Sequence, residues 1–306
     1  MGIQSTLLTV ASIFLLLMAG YGAKKAGVLK AGDAQVVNSL VINLTMPAFI
    51  FVYTHKKPLT AAMAKAPVLG FAAEMVVMAL AYLAGRALKL DRRTTGALML
   101  VSAFGNTGFL GYPVVSAAFG GDKHAVLTAV MFDGFGMALA LTTVGAAVAA
   151  CFAGSKFERG SLVQFLKTPL LPATVVALIL REAYVPKIIM DTLGYLAAGT
   201  VPLAMISIGL GLSTGGVKQY PAALAVCLVL KMAILPLLMY FTLPLIGVTG
   251  IVQKVVVLES AMPSAVFTAV IAGRFGANGV FAAGAVFLTT LVSVLVIPGV
   301  LMLMQA

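Results

Sequence analysis

The chain has 306 residues, 61% of them hydrophobic and 9% charged, with a mean hydropathy of +1.11. A soluble domain carries about 25% charged residues, so this composition excludes one and predicts a polytopic membrane protein. The formal charge of +11 comes without a long basic run or interleaved aromatics. It therefore points to positive span ends that orient the chain in a membrane, and away from nucleic acid.

Other chemistries are poorly supplied. Cys151 and Cys227 have no CxxC spacing, and the histidines, His55 and His124, fall near predicted span ends. A disulfide framework, a thiolate metal centre and zinc signatures are excluded on these counts. Triad and P-loop patterns are absent as well, so no enzyme and no cofactor is expected.

Taken in order, the first apolar run ends at Lys24 and Lys25. A secretory signal peptide carries its positive charge ahead of the run, so this one reads as a retained span with an external N-terminus. The apolar segments predict ten spans at about 4–23, 34–54, 66–88, 94–119, 123–151, 165–181, 188–212, 219–245, 251–273 and 279–304. Counted from an external N-terminus, twelve Lys and Arg fall on the inner side, among them Lys24, Arg92, Lys156 and Arg274, and seven on the outer. The bias places both termini outside and the central loop in the cytoplasm. The expected location is a bacterial inner (plasma) membrane.

Five spans before the central loop and five after it give the second half the opposite orientation. This is the pattern of an inverted repeat. The expected organisation is a first five-helix repeat at 1–151, a cytoplasmic linker at 152–164 and a second, inverted repeat at 165–306. The halves overlay with an offset of about 156 residues, the separation of the "AAFG" ending at Gly120 from the "GRFG" ending at Gly276. "AVLTAVMF" at 125–132 then falls on "FAAGAVFL" at 281–288, and Pro47 falls near Pro202.

The same offset brings "FGNTG" at 104–108 onto "SAMPS" at 260–264. Spans four and nine thus carry helix breakers at matching depth. Pro263 lacks a backbone donor, and Gly105 and Gly108 each lower helix propensity by about 1 kcal/mol. Paired interruptions in two halves point to a transporter's binding site. The expected restarts are near Phe109 and Ser264, with Pro113 and Gly111 as competing break points in span four. Two half-helix N-termini, each with free N–H groups and a partial positive charge, would then meet at the midplane and take a carboxylate. Asn106, Thr107, Gly108, Met262, Pro263 and Ser264 are the expected contacts, with Asn43 of span two either facing the same cavity or bonding a neighbouring helix.

Glu74, Asp133, Lys231 and Glu259 fall inside spans, where charge is costly and functional by default. Glu259, four residues before Pro263, is the leading candidate for carrying a proton or helping to hold a cation. Asp133 and Glu74 are further coupling candidates. Lys231 either pairs with an acid or lends positive potential to an anion path.

At these residues the chain resembles the auxin efflux carrier family, which includes plant PIN-type carriers and bacterial malonate-transporter-like proteins. The motifs carrying it are "GYGAKKAGVL", "LVINLTMPAFIF", "GNTGFLGYPVV" and "ESAMPSAVFTAVIAGRFG", in order along essentially the whole chain. The resemblance implies an all-α protein of ten helices in two inverted five-helix repeats, with crossed, broken fourth and ninth helices. It implies a scaffold from spans one, two, six and seven that forms a homodimer, and an elevator-like movement of the rest. The implied substrates are organic anions, including dicarboxylates such as malonate, with crossover residues carried onto Asn106, Thr107 and Pro263. Plant carriers follow an acid on span three with a lysine one turn later. Here Glu74 is followed by Met78, which favours the bacterial dicarboxylate type.

The sequence therefore predicts a secondary transporter of small organic anions, coupled to protons, to sodium or to neither. A bile-acid-type sodium symporter is the nearest alternative. An anion channel is the alternative of another class.

Overall fold

The computed structural model describes residues 3–155 and 169–304. Most of the linker expected at 152–164, with Lys156 and Arg159, lies outside the described residues. Every regular element among those described is helical. Here α1 is Ile3–Lys25, α2 Asp33–Thr54, α3 Ala61–Ala87, α4 Arg92–Ala103, and α5 covers 107–118. Then come α6 Lys123–Ala153, α7 Leu170–Ile179, α8 Lys187–Gly211, α9 Pro221–Ile246, α10 Gly250–Ser260, α11 Val266–Phe275 and α12 Gly279–Leu303. Six of them are long and apolar enough to cross a membrane: α2, α3, α6, α8, α9 and α12. The chain is an integral membrane protein.

Side-chain caps set several starts. Asp91, Asp122 and Asn278 accept from the amides of Thr94, Ala125 and Phe281 at 3.0, 2.8 and 2.9 Å, each satisfying a free N-terminal donor. Asn278 also donates to Thr94 Oγ1 at 2.8 Å and to the Tyr220 hydroxyl at 2.9 Å. One amide thus gathers the starts of α12, α4 and α9. α3 begins at Ala61, five residues ahead of the predicted start at 66, because Thr60 accepts from the Met63 amide.

Two buried apolar clusters lie side by side. Every buried member of the first comes from residues 63–150 or 223–285, that is from α3, α4, α6 and α9–α12 with their joins. The second joins α1, α2, α7 and α8 to α5, the first half of α6, α10 and the end of α12. Within it α1 and α8 touch backbone to backbone. A Cβ on Gly209 would strike the Leu17 carbonyl, and one on Gly20 would strike Ile206. Small residues at such a crossing let helices approach in the way membrane helices require. Lys24 seals the contact by donating to the carbonyls of Leu210, at 2.9 Å, and Leu212 at the end of α8.

Five helical stretches widen to i→i+5 turns, at Val41–Thr45, Thr107–Gly111, Asp133–Met137, Leu141–Gly145 and Leu230–Ile234. Such widenings are rare and gather at functional sites. They carry Asn43, Thr107, Asp133 and Lys231.

Candidate functional site

α4 stops at Ala103 and α10 at Ser260, and a short non-helical stretch follows each before helix resumes at Thr107 and Val266. The restart of span four is thus two residues before the expected Phe109, and that of span nine two after the expected Ser264. Pro113 is not the break. It sits inside the helical run 107–118, just past the widened turn 107–111 that absorbs its missing N–H.

The two stretches cross as a minimal antiparallel ladder with Gly105 opposite Ser264. Asn106 N–H donates to the Pro263 carbonyl at 2.7 Å, and Ala265 N–H to the Phe104 carbonyl at 3.0 Å. The freed backbone groups of one span are therefore satisfied by the other, which is what hydrocarbon demands. The last turns of the first half-helices are closed by side chains. Ser264 Oγ donates to the Val101 carbonyl at 2.6 Å, and Lys231 Nζ to the Ser260 carbonyl at 2.7 Å. From α12, Thr289 Oγ1 accepts the Ser264 amide at 3.1 Å.

Asp133 clamps the restart of α5. Its carboxylate accepts from Thr107 Oγ1 at 2.5 Å and from the Tyr112 hydroxyl at 2.7 Å. A Cβ on Gly108 would lie 3.2 Å from Asp133 Oδ2, so glycine permits the approach. A carboxylate at a helix N-terminus also meets the partial positive charge there. Behind α5, Glu259 presses on Gly111, where a Cβ would overlap its carboxyl group. Glu259 is fully buried, and neither carboxyl oxygen has a hydrogen-bond partner among the described residues. A buried anion in that state is costly. Glu74 is 3% exposed, and its Oε2 also lacks a partner there.

Two cavities flank the crossover. A small one of about 10 Å³, the size of one water, is lined by Glu74, Gly105, Thr107, Lys231, Glu259 and Ser260, among others. A larger one of about 300 Å³ opens where both restarts face it, lined by Gly105, Asn106, Gly108 and Phe109 from one and Ala265 and Phe267 from the other. Asp133, Thr142 and Arg274 add its remaining polar groups on largely apolar walls. Asn106 is 4% exposed, and its Nδ2 donor has no partner among the described residues. The site thus offers an unspent amide donor and two helix N-termini to one chamber.

The predicted residues divide into four groups. Asn106, Gly108 and Asp133 line the larger cavity, while Thr107, Glu74, Lys231 and Glu259 line the smaller one. Met262, Pro263 and Ser264 build the crossing and are absent from the lining of either cavity. Asn43 lies apart. It is exposed and donates to the Ser39 carbonyl at 2.8 Å, one turn back on its own helix. Lys231 forms no ion pair with an acid among the described residues, although Glu74 and Glu259 share its cavity.

Sequence reasoning missed Tyr112 and Arg274. Tyr112 lies inside the break motif itself, and only the widened turn brings its hydroxyl to Asp133. Arg274 reads in the sequence as one of the inner-side charges. It lies eight residues past Val266 on α11, about 12 Å along the helix, and reaches the far part of the same cavity.

The chain is similar to known proteins over nearly its whole length. It is 33% identical over 294 residues to an uncharacterized transporter of Methanocaldococcus jannaschii, covering 93% of this chain and 94% of that one. It is 31% identical over 293 residues to an uncharacterized transporter of Methanothermobacter thermautotrophicus, covering 95% of each. A Rhizobium meliloti protein bearing the name "Putative malonate transporter" is 27% identical over 283 residues, 88% of this chain and 87% of that one. The family model described as membrane transport protein matches residues 5–160 and 156–301. With its broken helices crossed at Gly105 and Ser264, the chain belongs to that family of transporters, the auxin efflux carrier family.

Proposed function

We propose that this chain is a secondary transporter of small organic anions that holds the substrate carboxylate at the crossover. One observation carries the reading. The buried Asn106 Nδ2, lacking a partner among the described residues, lines a cavity of about 300 Å³ where α5 and α11 both begin. A buried donor that has no partner and faces a cavity is a donor kept for a ligand. The α11 terminus adds partial positive charge, while that of α5 is already met by Asp133. The relative named for malonate supports a mono- or dicarboxylate as the substrate class.

The halves form an inverted repeat in this reading. The starts of α3 and α9, α4 and α10, and α6 and α12 are separated by 160, 158 and 156 residues, reading Ala61 against Pro221, Arg92 against Gly250 and Lys123 against Gly279. The last pair shares its cap chemistry at Asp122 and Asn278. The body built from α3–α6 and α9–α12 moves elevator-like against a scaffold of α1, α2, α7 and α8. The first apolar cluster, confined to that body, supports the division. The scaffold pairs two copies into a homodimer. Both termini lie outside the cytoplasm of a plasma membrane. Protons drive the cycle through Glu259 or Asp133, with Glu74 in the same buried group.

A sodium symporter needs free oxygen ligands at the breaks. Here the Lys231 ammonium already donates to the Ser260 carbonyl in the cavity that Thr107, Glu259 and Ser260 line, so a cationic group stands where the ion would bind. Counterflow separates carrier from channel. Liposomes holding the purified protein and loaded with unlabelled malonate should accumulate labelled malonate transiently and saturably. A conductance without counterflow would sink the carrier reading.

A further inference from the structure

Lys231 is one of the largest side chains buried completely in this protein. It is delivered by the widened turn Leu230–Ile234 of α9, and its ammonium group sits inside the crossing. It donates to the Ser260 carbonyl at 2.7 Å, at the C-terminal end of α10, where the helix carries partial negative charge. It also stands against Gly105. A Cβ there would lie 3.1 Å from Nζ and 3.2 Å from Cε, so the ammonium rests on the bare backbone of the ladder. Across a cavity of about one water lie Glu74 and Glu259, whose oxygens at Glu74 Oε2 and at both Glu259 positions have no partner among the described residues. The surroundings are a helix C-terminus, a backbone crossing and two acids with unspent acceptor oxygens. These are the surroundings of a cation, and the ammonium is the positive charge within them.

We propose that Lys231 is a built-in cation, tethered to α9, that occupies the place of a soluble coupling cation at the crossover. Its removal creates a binding site for a small monovalent cation. The site uses the Ser260 carbonyl and the carboxyl groups of Glu259 and Glu74 as ligands. Access runs past Gly105, which lines both cavities. In the wild-type protein the tether makes the site permanently filled, so sodium has nothing to bind there. Its consequence for transport, a cycle that does not need sodium, rests on the carrier reading above. The site itself does not.

The test needs no substrate. The apparent melting temperatures of the wild-type protein and of Lys231→Ala are compared in choline chloride, sodium chloride and methylammonium chloride at equal ionic strength. Lys231→Ala should be destabilised in choline and regain about 2–4 °C in sodium or methylammonium, by mass action on a site that only the folded state has. The wild-type protein should be indifferent to the exchange. Adding Glu259→Gln to Lys231→Ala should abolish the cation response. A folded Lys231→Ala that melts alike in all three salts overturns the proposal, as does a wild-type protein stabilised by sodium to the same extent. Should Lys231→Ala fail to purify, Lys231→Gln is measured in the same salts and decided by the same two outcomes. Failure of the carrier reading would show instead as missing counterflow with the cation response intact.

Discussion

The contact between Gly111 and Glu259 gives a prediction that can be worked closely. A Cβ on Gly111 would overlap the Glu259 carboxyl group, with Cδ only 2.7 Å away, so Gly111→Ala forces that group to move. Glu259 is fully buried on α10 with its carboxyl group against α5, so it has little room to retreat. Overpacking of this kind costs about 1–3 kcal/mol. Against it stands the gain from replacing a helical glycine by alanine, about 1 kcal/mol. In the wild-type background Gly111→Ala should therefore be neutral to destabilising by about 2 kcal/mol. In a Glu259→Ala background the clash is gone and only the gain remains, so the same substitution should stabilise by up to about 1 kcal/mol. The coupling between the two sites is then about 1–3 kcal/mol, well above the error expected for independent sites. The assay is thermal unfolding of the four proteins in detergent, where 1 kcal/mol corresponds to roughly 2–4 °C. Equal effects of Gly111→Ala in both backgrounds would refute the packing argument and separate Glu259 from the restart of α5.

Three further outcomes are expected. Tyr112→Phe removes a donor from the buried Asp133 carboxylate and should cost about 1.5–3 kcal/mol of stability, whereas an unchanged melting temperature would mean that the clamp does not hold α5. Glu259→Gln should flatten the pH dependence of malonate uptake into liposomes if Glu259 carries the proton, and an unchanged profile would return it to a packing role. Asp91→Ala should cost about 1 kcal/mol by uncapping α4. Burial pushes the Asp91 carboxyl up, but its bonds with Thr94 hold it below its ordinary value. Its contribution is therefore complete above the ordinary carboxylate range and is lost as pH falls through the lowered value. The gap between wild type and variant, followed by melting at decreasing pH, should close in acid. A constant gap would contradict the sign.

Much of the fold was legible because hydropathy in a membrane is nearly a one-letter code. A backbone that must satisfy itself in lipid leaves little besides helices, so apolar length marks the spans. The breaks were legible for the same reason, since Gly105, Gly108 and Pro263 are conspicuous only where a helix is otherwise obligatory. Local detail was harder. Pro113 reads as a breaker on its own, but the widened turn before it absorbs the missing bond, and no residue pattern announces such a turn. Ser264 looked like a substrate contact because serine at a break is polar and small. Its hydroxyl instead goes to Val101, a partner 163 residues away that no spacing rule can supply. Asn43 satisfies itself one turn back on α2. Arg274 lies at the end of an apolar run and there resembles any orienting charge. Only the position of α11 relative to α5 reveals that it faces the cavity.

The central claim is that an organic carboxylate binds at the crossover through Asn106. The most direct test is ligand-induced stabilisation of the purified protein against a panel of mono- and dicarboxylates, malonate among them, each with and without sodium, for wild type and Asn106→Ala. The account predicts stabilisation by at least one acid, about 2.7 kcal/mol at a hundred times its dissociation constant, independent of sodium and lost in Asn106→Ala. Wild-type-like stabilisation of a folded Asn106→Ala would contradict the crossover site, and a shift that appears only with sodium would contradict its mechanism.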